Sequence, residues 1–484
     1  MIYFFLLMAS TFRLMGCVET PIIHDFIDAV GFFFRQRRPP PWGWCGLSFS
    51  FFDPHGLPLF FADPVDFTIS KIRGRRNYGI IYIMKTKICV VGLGYIGLPT
   101  AALMAKAGHD VVGVDVNQKA VDTINAGHIH IIENGLEDLV RDVVGAGKLK
   151  AQTAPCEADA FVLAVPTPVH EDEGHTPGLE YVDAAAQSIA PYVKPGNMVI
   201  LESTSPVGTT ERIADILAKR GVDKTKVYFA HCPERVIPGR ALIELVGNDR
   251  IIGGMTPEAT KAVKALYATF VNGELLETNS RTAEMSKLTE NSFRDVNIAF
   301  ANELSMICDD LGIDTMELIN LANHHPRVNI LTPGCGVGGH CIAVDPWFVV
   351  SRSPERAKLI RCAREENDFK SDWVVGKVRE TYRAFGKFRP KIAILGLAFK
   401  PDIDDLRASP AIKIAAKLVK ESIADWMVVE PNIQRHPQFE LTPYEEAIAK
   451  ADVIVVLVKH SKFKGLIGRN PTARILNFCD LQVD

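Results

Sequence analysis

The chain has 484 residues, of which 47% are apolar and 23% charged, with a net charge of −3. At roughly 100 to 200 residues per domain this length holds two to four domains, and the composition excludes bulk disorder or a fibrous repeat. The near-balanced charge offers no basic face for nucleic acid, and ten cysteines without a C-x-x-C argue against a disulfide scaffold or zinc ribbon and for a reducing compartment.

Residues 1–83 stand apart. They hold 13 of the 26 phenylalanines, include Phe32-Phe33-Phe34 and Pro39-Pro40-Pro41, and show no sustained period of 2 or 3.6. Met1 to Met15 is apolar but broken by Arg13 and shorter than the ~18 residues of a membrane span. The segment reads as an upstream or non-native extension before Met84, poorly ordered and dispensable for activity. A signal peptide with a cleavage region at Gly16-Cys17 is the alternative.

From Lys87 the pattern is regular. Short β-branched runs at Ile88–Val91, Asp110–Asp115, Ala160–Val165, Met198–Leu201, Val227–Ala230 and Arg250–Ile252 alternate with helical spacers. They predict a doubly wound α/β domain over 84–278. Apolar positions at Met285, Leu288, Phe293, Val296 and Phe300 predict a long helix over about 282–311, within a helical domain over 279–386. Runs at Lys391–Leu397, Val428–Val429, Val453–Leu457 and Arg474–Leu476 predict a smaller α/β domain over 387–484.

Gly92-Leu93-Gly94-Tyr95-Ile96-Gly97 is a G-x-G-x-x-G after a strand and before a helix, with Asp115 ending the next strand 18 residues on. The glycines permit a tight turn, close approach of a pyrophosphate and helix–strand packing. The carboxylate accepts from ribose hydroxyls and repels a 2′-phosphate, which favours NAD over NADP. Lys287 and Asn291 share one face of the long helix, with Arg294 three residues further. The stripe fits either a group that polarises a hydroxyl or carbonyl, or a solvated charged face shared with Glu284 and Glu290. Cys341 closes a loop containing Gly334, Gly336, Gly338 and Gly339, where a ligand can approach and a thiolate could trap an aldehyde. Cys89, Cys308 and Cys362 fall within apolar patterns and read as packed cysteines. No metal is expected, because His324, His325, Cys335, His340 and Cys341 match no zinc spacing. Phe399-Lys400-Pro401 follows the last domain's first strand and suggests a phosphate met by a point charge.

These residues carry a resemblance. Gly92–Gly97, Ser203–Thr209, Lys287-x-x-x-Asn291, Gly336–Cys341 and Phe399-Lys400-Pro401 with Arg407 resemble the nucleotide-sugar 6-dehydrogenases of the UDP-glucose/GDP-mannose dehydrogenase family, from about Lys85 to Phe463. The run His231–Gly239, with Pro238 where UDP-glucose enzymes carry glutamate, is similar to the members acting on UDP-N-acetyl-D-mannosamine. The resemblance implies a Rossmann NAD domain, a central dimerisation helix and a C-terminal UDP-sugar domain. It implies a four-electron oxidation of the sugar C6 alcohol through a cysteine thiohemiacetal and thioester, in cytoplasmic polysaccharide biosynthesis. It further implies catalytic roles for Cys341, Lys287, Asn291, Asp345 and Glu234. NAD contacts would come from Gly92, Gly94, Tyr95, Ile96, Gly97, Asp115, Thr167, Thr204 and Arg407. UDP-sugar contacts would come from Arg235, Val236, Lys287, Asn291, Arg294, His325, Arg327, Gly338, Phe399 and Lys400, with Arg327 able to reach a partner's site. The pocket, through Lys287, is expected to lower the Cys341 thiol pKa. Asn477–Asp480 offers no cation where the family has a basic residue, and Ala408 stands where glutamate often follows the arginine. A UDP-glucose or UDP-N-acetylglucosamine dehydrogenase, a two-electron β-hydroxyacid dehydrogenase and a non-catalytic UDP-sugar-binding relative are the competing readings. No membrane or nucleic-acid partner is expected.

Overall fold

The computed structural model describes residues 51–52, 58–59, 67–71, 80–170, 174–237 and 239–481. The chain divides into two units, Met1–Val65 and Asp66–Asp484. In the first, Phe51–Phe52 pairs antiparallel with Pro58–Leu59. The second opens with Phe67–Lys71 antiparallel to Ile80–Met84. The expectation for residues 1–83 falls mostly outside the described residues, as does Pro238.

The strands that follow are β1 (Lys87–Val91), β2 (Asp110–Val114), β3 (Leu149–Gln152), β4 (Ala160–Leu163), β5 (Met198–Leu201), β6 (Tyr228–His231), β7 (Arg250–Gly254) and β8 (Leu275–Asn279). They form one sheet in the order β8-β7-β6-β5-β4-β1-β2-β3. Ile88, Cys89, Val90 and all of β4 are fully buried, as strands covered by helices on both faces must be. β6 and β7 run antiparallel, so the sheet is mixed rather than wholly parallel. The chain order reverses between β1 and β4, which opens a crevice at their carboxyl ends. The first helix, α1 (Gly97–Lys106), is buried along all but its last residue, and its small Ala101, Ala102 and Ala105 let it lie close on the sheet.

Helix α2 (Ser280–Leu311) runs 32 residues, two residues longer at its start than its periodicity predicts. Asn279 caps it by accepting from the Thr282 N–H at 2.9 Å, and Gly312 ends it in the left-handed conformation at φ 69°. Next come α3 (Thr315–Asn323), α4 (Asp345–Arg352) and α5 (Lys358–Ala384). Proline at the second position of α4 starts a helix where its missing N–H costs nothing. Helices α2 and α5 are locked by a buried pair, Arg364 to Asp295 at 2.7 Å. Asn367 also donates to Asp295 at 2.8 Å. The opposite side of α2 leaves Phe293, Phe300, Ile307 and Leu311 exposed at roughly heptad spacing. Strands β9 (Lys391–Leu395), β10 (Asp425–Val429), β11 (Val453–Val456) and β12 (Arg474–Asn477) complete a parallel sheet in the order β10-β9-β11-β12. Cys89 and Cys308 are buried as expected, whereas Cys362 is exposed, because its place on α5 faces away from α2 and the sheet.

Candidate active site

The turn after β1 lies at the crevice. Gly92 takes φ 94°, and a Cβ there would sit 2.4 Å from the Ala164 carbonyl oxygen at the end of β4. A Cβ on Gly97 would lie 1.8 Å from the Gly92 carbonyl oxygen. At Gly94 a Cβ would meet nothing within 4 Å, so backbone and open space face each other there. Asp115 accepts from the Leu93 N–H at 3.0 Å and the Asn117 N–H at 2.9 Å, which holds its carboxylate against the turn. Thr167 donates to the Thr204 carbonyl at 2.6 Å and ties the chain after β4 to the chain after β5. Tyr95 is 42% exposed, and Arg407 lies over its ring at 5.7 Å. A tight turn, an open approach and a carboxylate at the next strand fit a dinucleotide without a 2′-phosphate.

A second group lies where α2 meets α4. Lys287 is buried, and among the described residues its ammonium has no hydrogen-bonding partner, though it acts electrostatically on Asp345 and Cys341. Asn291 donates to Asp345 at 2.5 Å. The Cys341 carbonyl accepts from the Asp345 N–H at 2.8 Å and the Val344 N–H at 3.0 Å, so the start of α4 folds back over the cysteine. Burial pushes the Asp345 carboxyl up to about 6, although Lys287 and Asn291 both pull it down. Cys341 is exposed at the surface, yet the protein around its thiol desolvates it. That desolvation and the Asp345 charge raise its pKa above the ordinary value, against the pull of Lys287 and Arg407. The expected lowering is therefore corrected: Lys287 acts in the expected direction, but burial and a neighbouring carboxylate outweigh it.

The loop before Cys341 is wedged between α5 and the C-terminal domain. A Cβ on Gly336 would lie 2.8 Å from the Asn367 carbonyl oxygen, one on Gly338 would lie 2.7 Å from the Ala408 carbonyl oxygen, and one on Gly339 would lie 2.9 Å from the Phe399 ring. Arg407 is held by Asp405 through bonds of 2.8 and 2.6 Å, and its carbonyl accepts from the Gly339 N–H at 3.3 Å. Lys400 is exposed beside half-buried Phe399. Glu430, after β10, accepts from the Leu397 and Ala398 N–H groups at 2.7 and 3.0 Å and pairs with buried His460 at 3.0 Å. It repeats in the second sheet the place of Asp115 in the first, and the sequence reading had not singled it out.

Other residues are placed less closely. Arg294, His325 and Arg327 are exposed, and Val236 packs on the edge of the NAD-domain core. Arg235 pairs with Glu290 of α2 at 3.0 Å and also donates to the Asp249 carbonyl. Glu234 is not free, since Arg250 pairs with it at 2.6 Å. That arginine escaped the sequence reading because it opens a β-branched run like any strand edge.

Three family models match in succession. They are the NAD binding domain, the central domain and the UDP binding domain of the UDP-glucose/GDP-mannose dehydrogenase family, over residues 86–271, 281–369 and 393–476. The chain belongs to this family. Family membership makes it an NAD-dependent oxidoreductase with a UDP-sugar domain. It is 54% identical over 409 residues to UDP-N-acetyl-D-mannosamine dehydrogenase of Campylobacter jejuni, covering 81% of this chain and 99% of the relative. It is also 54% identical over 392 residues to an NDP-N-acetyl-D-galactosaminuronic acid dehydrogenase of Ralstonia nicotianae, covering 78% and 92%. A solved UDP-N-acetyl-mannosamine dehydrogenase from S. aureus superposes with a TM-score of 0.75 at 42% identity, over 82% of this chain and 96% of that one. Among the described residues no helix is long and apolar enough to cross a membrane.

Proposed function

We propose that the chain oxidises the C6 alcohol of UDP-N-acetyl-D-mannosamine to the carboxylate, using Cys341 as nucleophile. The observation that carries the reading is Cys341, exposed at the end of a glycine loop packed on the UDP domain and flanked by Lys287, Asn291 and Asp345. Support for the sugar comes from relatives of that name at 54–55% identity over nearly their whole length. The galactosaminuronate relative at equal identity keeps a second N-acetylated sugar as the alternative.

NAD supplies a hydride acceptor at each of two oxidations. In the first, the C6 hydroxyl would pass its proton to a water molecule and C6 its hydride to NAD, while Lys287 and Asn291 hold the oxygen, leaving an aldehyde. Cys341 sulfur then bonds to that carbon, and Lys287 stabilises the oxyanion of the thiohemiacetal. Loss of a second hydride from the same carbon leaves a thioester. A water molecule adds, the C–S bond breaks, and the acid and the thiol are released. Thr204, Glu234 and Asp345 order the water and support the thiol and lysine. Asp115 selects NAD, with Gly92, Gly94, Tyr95, Ile96, Gly97, Thr167, Thr204 and Arg407 lining its site. Arg235, Val236, Arg294, His325, Arg327, Gly338, Phe399 and Lys400 recognise the UDP-sugar. The exposed apolar stripe of α2 supports a homodimer, and the free thiols a cytoplasmic setting in polysaccharide synthesis.

The test is NADH release per sugar with UDP-N-acetylmannosamine, UDP-N-acetylgalactosamine, UDP-N-acetylglucosamine and UDP-glucose. Two NADH per sugar and the highest kcat/KM with the mannosamine derivative support the reading. One NADH per sugar, or preference for another sugar, defeats the mechanism or the specificity respectively. Cys341→Ser should stop after the first hydride or trap an ester while still binding NAD.

A further inference from the structure

Arg250 opens β7, and its side chain is only 5% exposed. It lies between two carboxylates, pairing with Glu202 at 2.7 Å and with Glu234 at 2.6 Å. Glu202 follows β5 two residues before Thr204, and Glu234 follows β6. The Tyr267 hydroxyl donates to the same Glu202 oxygen at 2.6 Å, and the guanidinium stacks 4.8 Å from the Tyr267 ring centre. One arginine thus ties three strand ends together. Burial alone disfavours its charge, but Glu234 and Glu202 hold its pKa above the ordinary value.

We infer that Arg250 is a positioning residue that fixes the Glu234 carboxylate for the hydrolytic step. This rests on the role given to Glu234 above. A carboxylate on a loop rotates freely unless both oxygens are engaged. Here Oε1 accepts from the Arg235 N–H at 2.6 Å and Oε2 faces Arg250. Oε2 is buried against Arg250 and closed to solvent, which leaves Oε1, with a lone pair beyond the Arg235 N–H, as the oxygen that can hold a water molecule. The next residue, Arg235, reaches Glu290, the neighbour of Asn291 on α2, so the loop that carries Glu234 abuts the helix that carries Lys287. Only a forked, permanently charged group can grip Glu202 on one side and Glu234 on the other. A lysine can meet one of them but not both in this geometry.

The test compares Arg250→Lys, Glu234→Gln and the double variant. Arg250→Lys should lower kcat about tenfold or more with KM for NAD and sugar within about twofold, as misplacing a reacting group does. Mass spectrometry should find an acyl adduct on Cys341 after two NADH per site are released. Glu234→Gln should do the same, and the double variant should be no slower than the slower single, since the two act as one unit. A merely structural arginine would lower the folded fraction without trapping the acyl-enzyme. If Arg250→Lys does not fold, the isosteric Glu202→Gln loosens the far side of the arginine and should still slow kcat about threefold with the same adduct. The inference is overturned if Glu234→Gln traps the adduct but Arg250→Lys and Glu202→Gln do not, or if the effects multiply. Clearance of the adduct at wild-type rate by Glu234→Gln would instead remove the role of Glu234 itself, and the inference with it.

Discussion

Asp345→Asn removes one titration, and with it the charge that acts on Cys341, while keeping the shape of the site. Asparagine keeps the volume and an acceptor for Asn291, whose amide now bonds Asp345 Oδ2 at 2.5 Å. Burial raises the native carboxyl from 3.8 to about 6. The folded state therefore binds this proton more tightly than the unfolded chain does. The associated stability is complete below about pH 4 and is lost as pH rises through about 6. Two pKa units at 1.36 kcal/mol each give about 3 kcal/mol. Asparagine cannot titrate, so the variant should gain about 3 kcal/mol on the wild type between about pH 4 and 7.5. Hydrogen exchange of peptides spanning α4, compared between the two proteins at each pH, reads this gap locally. A gap that stays constant with pH, or that moves in favour of the wild type as pH rises, would refute the account of a desolvated carboxylate beside Cys341.

Further outcomes follow from the same geometry. Lys287→Met should move the iodoacetamide pH profile of Cys341 upward, since the lysine pulls that thiol down; an unchanged midpoint would separate the two groups. Gly97→Ala places a methyl 1.8 Å from a carbonyl oxygen and should cost about 3 kcal/mol or more and abolish NADH fluorescence binding; a normal melting curve would contradict the packing. Asp115→Asn should narrow the NAD over NADP preference in kcat/KM by about tenfold or more, and an unaltered ratio would place the ribose elsewhere. Phe300→Asp should turn a dimer into a monomer at micromolar concentration by light scattering; persistence of the dimer would move the interface off this stripe.

Local pattern carried much of this protein. A strand, a glycine turn and an acid at the end of the next strand are fixed by short-range backbone demands, so Gly92 to Asp115 was legible from spacing. The periodic apolar residues and the glycine stop gave α2 nearly to its ends. What stayed hidden depends on pairing across the sheet. The antiparallel pairing of β6 and β7 leaves no mark on hydrophobic periodicity. Arg250 and Glu234 lie sixteen residues apart in sequence and meet only because their strands are neighbours. Glu430 and His460 follow β10 and β11, which flank β9 on either side, and meet beyond its end. The direction of the Cys341 shift needed the distance-dependent balance of burial, Asp345 and Lys287, which no motif encodes. The roles given to Arg294, His325 and Arg327 rested on the family resemblance, and these side chains lie at the surface.

The glycine loop before Cys341 has a mechanical consequence. Gly336 abuts the backbone of α5, while Gly338 and Gly339 abut Ala408 and Phe399 of the C-terminal domain, each without clearance for a methyl group. A joint without slack transmits displacement instead of absorbing it. The position of Cys341 is therefore set from two sides at once, by α5 and by the 399–410 segment. A side chain added at Gly336, Gly338 or Gly339 has to displace α5 or the C-terminal domain, and Cys341 with it.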